Sequence, residues 1–216
     1  MKVIAFNPGG ESSNSYLLVE GKKALLVDAG TENPPKVGPF LASEGLELTA
    51  VLLTHAHFDH IMGLTSLRPV CPVYVAKEDR QALSSPRLNG SRSFGFSFRL
   101  DETSIHIEEY PSSGELDLPP FGRIEVIFTP FHTEGSVCLY FPKAALLFSG
   151  DTLFLGSVGR YDLPGGDGRK VLSSLQKLIA LPDRVTFFPG HGPKGNLGTE
   201  KRNNPYLLEA KREAAD

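Results

Sequence analysis

The stretch "LLTHAHFDHIMG", residues 52–63, places three of the chain's six histidines within six consecutive positions. It follows an apolar, β-branched run that predicts a buried strand, and it leads into a helical pattern. His55 and His57 therefore lie just past the end of a strand. Asp59 and His60 lie at the start of the next helix, so all four side chains can converge on a small volume.

The chemistry of these side chains points to metal binding. Neutral imidazoles and carboxylates are the ligands that borderline divalent ions such as zinc accept. The spacing His-x-His-x-Asp-His supplies enough of them for more than one ion. A helix start also offers free backbone N–H groups, which favour the negative charge of Asp59. The alternative, one core histidine with the others solvated, explains this clustering less well, so we predict a metal site.

Two further histidines and an aspartate repeat this setting. His132 in "FTPFHTEGS" and His191 in "TFFPGHGPKG" each follow a predicted strand and are flanked by Pro or Gly, which allow tight turns. Asp151 in "LLFSGDTLF" also ends a strand, where a carboxylate could bridge two ions. His106 lies inside a strand pattern instead, and we interpret it as structural.

Strands and helices alternate along the chain in two groups. The strands are predicted at 3–6, 15–19, 24–27, 50–53, 73–75, 104–108, 124–128, 137–141, 145–149 and 185–188, and the helices at 36–43, 59–67, 169–181 and about 203–214. Both groups favour sheets covered by helices, in a single domain over 1–216. The segment 84–99 is a long irregular stretch. Its length favours a functional loop, whereas its alternating phenylalanines favour a strand with one buried face.

Composition excludes several classes of function. A net charge of −3, with acidic and basic residues mixed, provides no basic surface for nucleic acid or anionic membrane. No run approaches the roughly 20 apolar residues of a membrane span, and the first residues lack the apolar core of a signal peptide. Cys71 and Cys138 lie in separate apolar contexts rather than in a disulfide framework. We therefore expect a cytoplasmic protein with a small-molecule substrate.

Five motifs carry a family resemblance. "THAHFDH", "HTEGS", "SGDTLF" and "PGHG", preceded by "LLVDAG", resemble the ordered motifs of the metallo-β-lactamase superfamily, and most closely its glyoxalase II-like hydrolases. The resemblance runs from about residue 3 to residue 205. It implies an α/β fold, the four-layer αββα sandwich, with the metals at one edge of two facing sheets. It also implies two divalent ions, with zinc expected and iron or manganese as alternatives.

The same resemblance implies a role for each candidate residue. The ligands are His55, His57 and His132 for one ion, and Asp59, His60 and His191 for the second. Asp151 is expected between the ions, and Asp59 and Asp151 are the catalytic carboxylates around the water that the metals activate. Asp28 matches the aspartate of the first motif, which orients the site from behind the ligands.

The implied reaction is hydrolysis of a thioester such as S-lactoylglutathione. Two ions that share a water lower its pKa from about 15.7 toward 7, so that metal-bound hydroxide exists at neutral pH. Hydroxide attacks the acyl carbon and a thiolate leaves readily, so no serine nucleophile is required. Neither "HTEGS" nor "FSGD" matches the G-x-S-x-G nucleophile elbow.

The stretch "GRYDLPGGD", residues 159–167, resembles the segment in which glyoxalase II-like proteins contact the carboxylate of their substrate. Arg160 matches the basic residue and Tyr161 is an adjacent candidate, whereas Asp162 replaces a tyrosine of full-length members. A guanidinium can hold a carboxylate by two hydrogen bonds, but a surface pair of Arg160 with Asp162 explains the residue equally well. Only 25 residues follow His191, so we expect a short form without the C-terminal helical domain that binds glutathione.

A persulfide dioxygenase is the main alternative. That related family shares the His-x-His-x-Asp-His motif and binds a single iron through two histidines and one aspartate, here expected to be His55, His132 and Asp151. The segments "GDTLF" and "LPGGD" look more like the hydrolase branch, which we therefore prefer. A non-enzymatic metal scaffold, the penicillin-hydrolysing branch and the tRNA-processing branch fit the sequence less well.

Overall fold

The computed structural model describes residues 1–6, 13–30 and 36–214, and their strands form two six-stranded sheets. The first sheet contains, in spatial order, β1 (Lys2–Phe6), β2 (Ser15–Glu20), β3 (Lys23–Val27), β4 (Glu47–Leu52), β5 (Val73–Val75) and β6 (Ile107–Glu109). The second contains β7 (Glu115–Leu118), β8 (Gly122–Phe128), β9 (Val137–Phe141), β10 (Leu146–Gly150), β11 (Thr186–Pro189) and β12 (Gly195–Asn196), each beside the next.

The described helices lie outside the sheets. They are α1 (Val37–Glu44), α2 (Phe58–Ile61), α3 (Leu64–Leu67), α4 (Val171–Ile179), α5 (Leu197–Asn203) and α6 (Pro205–Glu213), with 3-10 turns at Lys77–Ser84, Ser91–Phe94, Glu102–Ser104 and Gly168–Lys170. Among the described residues, none of the helices has the length and apolar character needed to cross a lipid bilayer.

Three apolar layers hold these elements together. Between the sheets, Leu25 and Leu52 pack in one cluster with Leu139 and Phe148 of the opposite sheet. The outer face of the first sheet packs against α1, and the outer face of the second against α4 and α6. Burial of each apolar side chain of this size contributes about 1.5–3 kcal/mol to the free energy of folding. The predicted αββα sandwich is confirmed.

Parallel pairing brings the ends of several strands to one edge. Leu52 at the end of β4 pairs with Val27 at the end of β3, and Gly150 of β10 pairs with Pro189 of β11. Parallel neighbours end at the same edge of a sheet, as in other folds that place ligands there. The loops that follow these strands therefore begin side by side.

The predicted strands are confirmed, with bounds that shift by at most three residues. Placing His106 within a strand is wrong, because it lies before β6, exposed to solvent, with its Nε2 3.4 Å from Glu108 Oε1. The Asp101 side chain accepts a hydrogen bond from Thr103 N, and this caps a 3-10 turn that delays the strand.

The predicted helix 59–67 is wrong as one element, because it is divided into α2 and α3 at Gly63. The Gly63 N–H donates to Ala29 O at 3.0 Å, and a Cβ at Gly63 would lie 2.4 Å from Gly30 O. Close packing on a neighbouring loop thus interrupts the helical ladder.

The remaining helix predictions hold with adjusted bounds. The helices predicted at 36–43 and 169–181 are α1 and α4. The terminal helix begins at Pro205, since Asn204 caps it by accepting from Tyr206 N, and an unpredicted helix, α5, precedes it. The segment 84–99 contains a 3-10 turn and no strand, so its interpretation as a half-buried strand is wrong.

Candidate metal centre

The structure brings the seven predicted ligands together at the sheet edge where β4, β10 and β11 end. Their ligand atoms form three groups, each within 4.8 Å: His55, His57 and His132; Asp59, His60 and His191; and His55, His60 and Asp151. The first two groups are the two sets of ligands that the family resemblance implies. The third group contains one histidine from each of these sets together with Asp151, and it therefore connects the two sets.

Asp151 lies between the two sets. Its Oδ1 is 3.4 Å from His60 Nε2, and its Oδ2 is 3.5 Å from His132 Nε2 and 3.6 Å from His191 Nε2. Asp59 belongs to the second set only, and its Oδ2 is 3.1 Å from His191 Nε2. Asp151 therefore lies where a carboxylate could contact ions held by either set.

Hydrogen bonds on the far side of three imidazoles fix which nitrogen faces the cluster. His60 Nδ1 donates to Asp28 Oδ2 at 2.9 Å, and His132 Nδ1 donates to the Arg160 carbonyl oxygen at 2.6 Å. His55 Nδ1 lies 3.2 Å from Thr54 Oγ1, whose proton is already donated to Asp28. Because the partners can only accept, each Nδ1 carries the proton and each Nε2 presents a lone pair.

Several of the inward-facing atoms have no hydrogen-bond partner. Among the described residues, His55 Nε2, His60 Nε2 and Asp151 Oδ1 are buried and unsatisfied, whereas His57 faces the cluster through Nδ1, 2.8 Å from His132 Nε2. The 3.4 Å approach of His60 to Asp151 does not have hydrogen-bond geometry. A buried polar group without a partner costs about 1–3 kcal/mol, and these atoms converge on one volume. The residues therefore fit divalent ions as their missing partners.

The charge state of the cluster also suits metal ions. Burial, reinforced by neighbouring imidazoles, holds the pKa of His55 well below its usual range and lowers that of His57 to about 3, so both imidazoles are neutral, the form that binds a metal ion. Burial opposes ionisation of Asp151, but His60 and other imidazoles hold its pKa below the usual value.

His60 occupies the most negative part of the cluster. Burial lowers its pKa, but Asp28, Asp59 and Asp151 around it outweigh burial and raise the pKa well above the usual value. The surrounding carboxylates thus attract a cation to this position, whether a proton or a metal ion.

Asp28 supports His60 from a constrained backbone position. It is buried, has a φ of +56°, and accepts hydrogen bonds from Thr54 N at 2.7 Å and Thr54 Oγ1 at 2.8 Å as well as from His60. A non-glycine residue in the left-handed region is uncommon and costs free energy, so the surrounding bonds must impose it.

Asp79 was not singled out from the sequence, and it joins two ligand loops. Its buried carboxylate accepts from Ala56 N at 2.9 Å, between His55 and His57, and from Thr133 Oγ1 at 2.8 Å and Gly135 N at 2.9 Å, beside His132. No local pattern in "AKED" identifies this role, because all three donors are distant in sequence.

We expect Asp79→Asn to weaken metal binding by about 10- to 100-fold, as is typical when groups that support ligands are changed. An asparagine presents an NH2 group to either Ala56 N–H or Gly135 N–H, so one loop loses its anchor. A competition titration with a chromophoric chelator measures the affinity. Asp101→Asn, the same change at an exposed turn, is the matched control. Wild-type metal affinity in Asp79→Asn would contradict this role.

The loop that carries His191 is also anchored by residues that the sequence did not identify. Asn14 N donates to Gly190 O at 2.6 Å, and Tyr16 Oη donates to Pro189 O at 2.7 Å. Residues at the start of β2 thus hold the end of β11 across the sandwich.

A cavity of about 390 Å³ opens above the cluster. It is lined by five of the predicted ligands and by Phe58, Gly90, Phe94, Phe154, Arg160 and Leu163. Arg160 reaches the cavity, but its Nε and Nη2 are paired with Asp162 at 2.6 and 2.8 Å. Tyr161 does not line the cavity, since its ring packs where a Cβ of Gly168 would lie.

The sequence is similar to those of known proteins. A family model described as the Metallo-beta-lactamase superfamily matches residues 8–191. The chain is 38% identical over 202 residues to the probable metallo-hydrolase YqgX of Bacillus subtilis (strain 168), covering 92% of this chain and 94% of that protein.

Solved structures extend the comparison to the fold. The crystal structure of BLEG-1 B3 metallo-beta-lactamase is 37% identical, with a TM-score of 0.87 over 95% of this chain and 99% of that one. The crystal structure of TTHA1623 in a di-iron-bound form is 36% identical, with a TM-score of 0.77 over 96% of this chain and 100% of that one.

Proposed function

The chain belongs to the metallo-β-lactamase superfamily, and from this membership we propose a metal-dependent hydrolase that cleaves a thioester such as S-lactoylglutathione. The proposal rests above all on one observation, the unsatisfied buried nitrogens and carboxylate oxygen that face each other beneath an open cavity. A relative named as a probable metallo-hydrolase supports hydrolysis.

We assign the ligands as the geometry groups them. His55, His57 and His132 would hold one ion, and Asp59, His60 and His191 would hold the second, with Asp151 placed between the two sets of residues. When bound, two divalent ions supply a Lewis acid for the carbonyl oxygen and lower the pKa of water. Zinc is the metal that we expect, although the di-iron form of a similar structure keeps iron as an alternative.

The nucleophile is water rather than a side chain. Among the described residues, the cavity lining contains no serine, threonine, cysteine or lysine that could form an acyl-enzyme. Burial opposes the negative charge of Asp59 and Asp151, but the neighbouring histidines outweigh it and hold both pKa values below the usual range. Both side chains are therefore ionised. These carboxylates can accept hydrogen bonds from the water and orient it.

The reaction balances without a redox partner. The water oxygen bonds to the acyl carbon, the carbon–sulfur bond breaks, and the sulfur leaves as a thiolate that takes up a proton. The carbonyl oxygen carries the developing negative charge, which is stabilised at the end of the cavity that the histidines form.

Turnover of three substrates by metal-loaded protein tests the proposal. We expect cleavage of S-lactoylglutathione, no oxygen uptake with glutathione persulfide, and at most slow cleavage of a chromogenic β-lactam. The β-lactam is included because a B3 metallo-beta-lactamase structure is similar to the chain. If the protein contains a single iron and consumes oxygen with glutathione persulfide, its function is that of a persulfide dioxygenase and the proposed hydrolase is wrong.

A further inference from the structure

The cavity above the ligand cluster has apolar walls, formed by Phe58, Phe94, Phe154 and Leu163. Within the proposed thioester hydrolysis, on which this inference rests, we propose that the acyl group of the preferred substrate is apolar and uncharged. Phe94 is the residue that selects for it.

Phe58 places an aromatic wall beside the cluster, because it lies between His57 and Asp59 in the chain. Its ring packs on Phe94 and Phe96, with centroid distances of 5.1 and 5.0 Å. Phe58 is buried, whereas Phe94 and Phe96 are 43% and 40% exposed. Of these two exposed rings, Phe94 lines the cavity and Phe96 does not. An apolar acyl group would remove the Phe94 ring from water, which is favourable.

Hydrogen bonds fix the segment that carries Phe94, both to α2 and within the segment 84–99. Phe58 N donates to Asn89 O at 2.9 Å, and Asn89 Nδ2 donates to Phe98 O at 3.0 Å. Phe98 N donates to Ser91 Oγ at 3.0 Å, at the start of the 3-10 turn Ser91–Phe94. Asn89 and Ser91 are buried. The wall is therefore preformed, and little ordering free energy opposes binding.

Phe154 and Leu163 extend the apolar surface to the loops that follow β10. The Phe154 ring lies 6.2 Å from the His191 ring, between centroids. The loop is fixed by Asn204, whose Nδ2 donates to Ser157 O at 3.1 Å, and by Glu200, whose Oε2 accepts from Gly156 N at 2.7 Å. Apolar residues thus contribute to the cavity from both sheets' loops.

The charges at the rim do not favour an anionic acyl group. Arg160 is the only arginine or lysine that lines the cavity among the described residues, and Asp162 neutralises it in a two-bond pair. Both partners are more than half exposed, so the pair is also solvated. Among the described residues of the lining, an additional carboxylate on the acyl group would therefore meet no unpaired arginine or lysine.

The size of the cavity and the chemistry of thioesters place the acyl group inside. The volume of about 390 Å³ lies in the range of small-molecule sites, about 300–1,000 Å³. The thiol carriers of cellular thioesters are long and polar, and they are better accommodated in solvent. The acyl group is the part that can fill an apolar cavity of this volume.

The test uses metal-loaded protein and N-acetylcysteamine thioesters of acetyl, lactoyl, hexanoyl and phenylacetyl groups, so that the thiol is constant. We expect kcat/KM for hexanoyl and phenylacetyl thioesters to exceed that for acetyl and lactoyl thioesters by at least about tenfold. Phe94→Ala should reduce this ratio about tenfold. Phe96→Ala, with similar exposure and the same Phe58 contact, should keep the wild-type ratio.

Calorimetry gives a readout that does not depend on turnover. Phenylacetate and acetate have the same carboxylate, so tighter binding of phenylacetate reports the apolar wall, and Phe94→Ala should remove the difference. Thermal melts of both phenylalanine variants check that they fold.

Two results would overturn the preference for apolar acyl groups while leaving thioester hydrolysis intact. One is hydrolysis of all four thioesters at similar rates, and the other is an unchanged ratio in Phe94→Ala. Absence of turnover with every thioester would contradict the proposed function itself, and the acyl preference with it.

Discussion

The Asp151→Asn variant should lose roughly 10³-fold in kcat/KM, about 4 kcal/mol of transition-state stabilisation, because the proposed metal pair would lose the carboxylate that lies between its two sets of ligands. Its two oxygens lie 3.4 to 3.6 Å from ring nitrogens of His60, His132 and His191, so its charge faces both sets of ligands. An amide removes the negative charge and directs an N–H group at lone pairs. Steady-state kinetics and metal content measured on the same preparation test this expectation.

Asp117→Asn is the matched control, since Asp117 is exposed on the edge strand β7. It should leave kcat/KM and metal content unchanged. Asp151→Asn with near-wild-type activity and two bound ions would remove Asp151 from its assigned position between the metals.

Gly190→Ala should cause a comparable loss without changing any ligand. A Cβ at this position would lie 2.1 Å from Asp151 Oδ1 and 2.7 Å from His60 Cε1, distances that non-bonded atoms do not tolerate. The methyl group would displace the bridging carboxylate, so both metal content and kcat/KM should fall. Elemental analysis and kinetics measure the two effects, and a thermal melt shows whether the variant folds.

Gly192→Ala separates this steric effect from backbone strain in the same loop. Gly192 has a φ of +75°, and a Cβ there would have no heavy atom within 4 Å. The left-handed conformation costs an alanine about 1–2 kcal/mol, so a lower melting temperature with retained metal is expected. Equal metal content and activity in Gly190→Ala and the wild type would show that the loop can move away from Asp151.

The convergence of the site could be predicted because its residues obey one local rule. His55, His132, Asp151 and His191 each follow the end of a strand, and strand ends are recognisable from apolar runs that stop at polar or glycine residues. Pairing of β3 with β4 and of β10 with β11 then brings those ends together. The αββα layers followed from the resemblance of the motifs rather than from periodicity.

Features that depend on contacts between distant segments could not be predicted. The break at Gly63 results from packing on Ala29 and Gly30, although the local pattern favours a continuous helix. The helix α5 has a single large buried apolar residue, Leu197, and therefore too little periodicity to be recognised.

The hydrogen-bond partners of individual side chains could not be predicted either, because they too come from distant segments. The role of Asp79 depends on donors that come from two other loops. The alternating phenylalanines in 84–99 suggested a strand, but the hydrogen bonds of Asn89 and Ser91 fold the segment over Phe58 instead.

The number of divalent ions bound per chain, measured by elemental analysis before and after chelation and alongside thioester turnover, tests the paired metal centre most directly. We predict two ions per chain in active protein, loss of turnover as both are removed, and recovery when they are restored. Metal-free protein that still hydrolyses the thioester at the original rate would contradict the account.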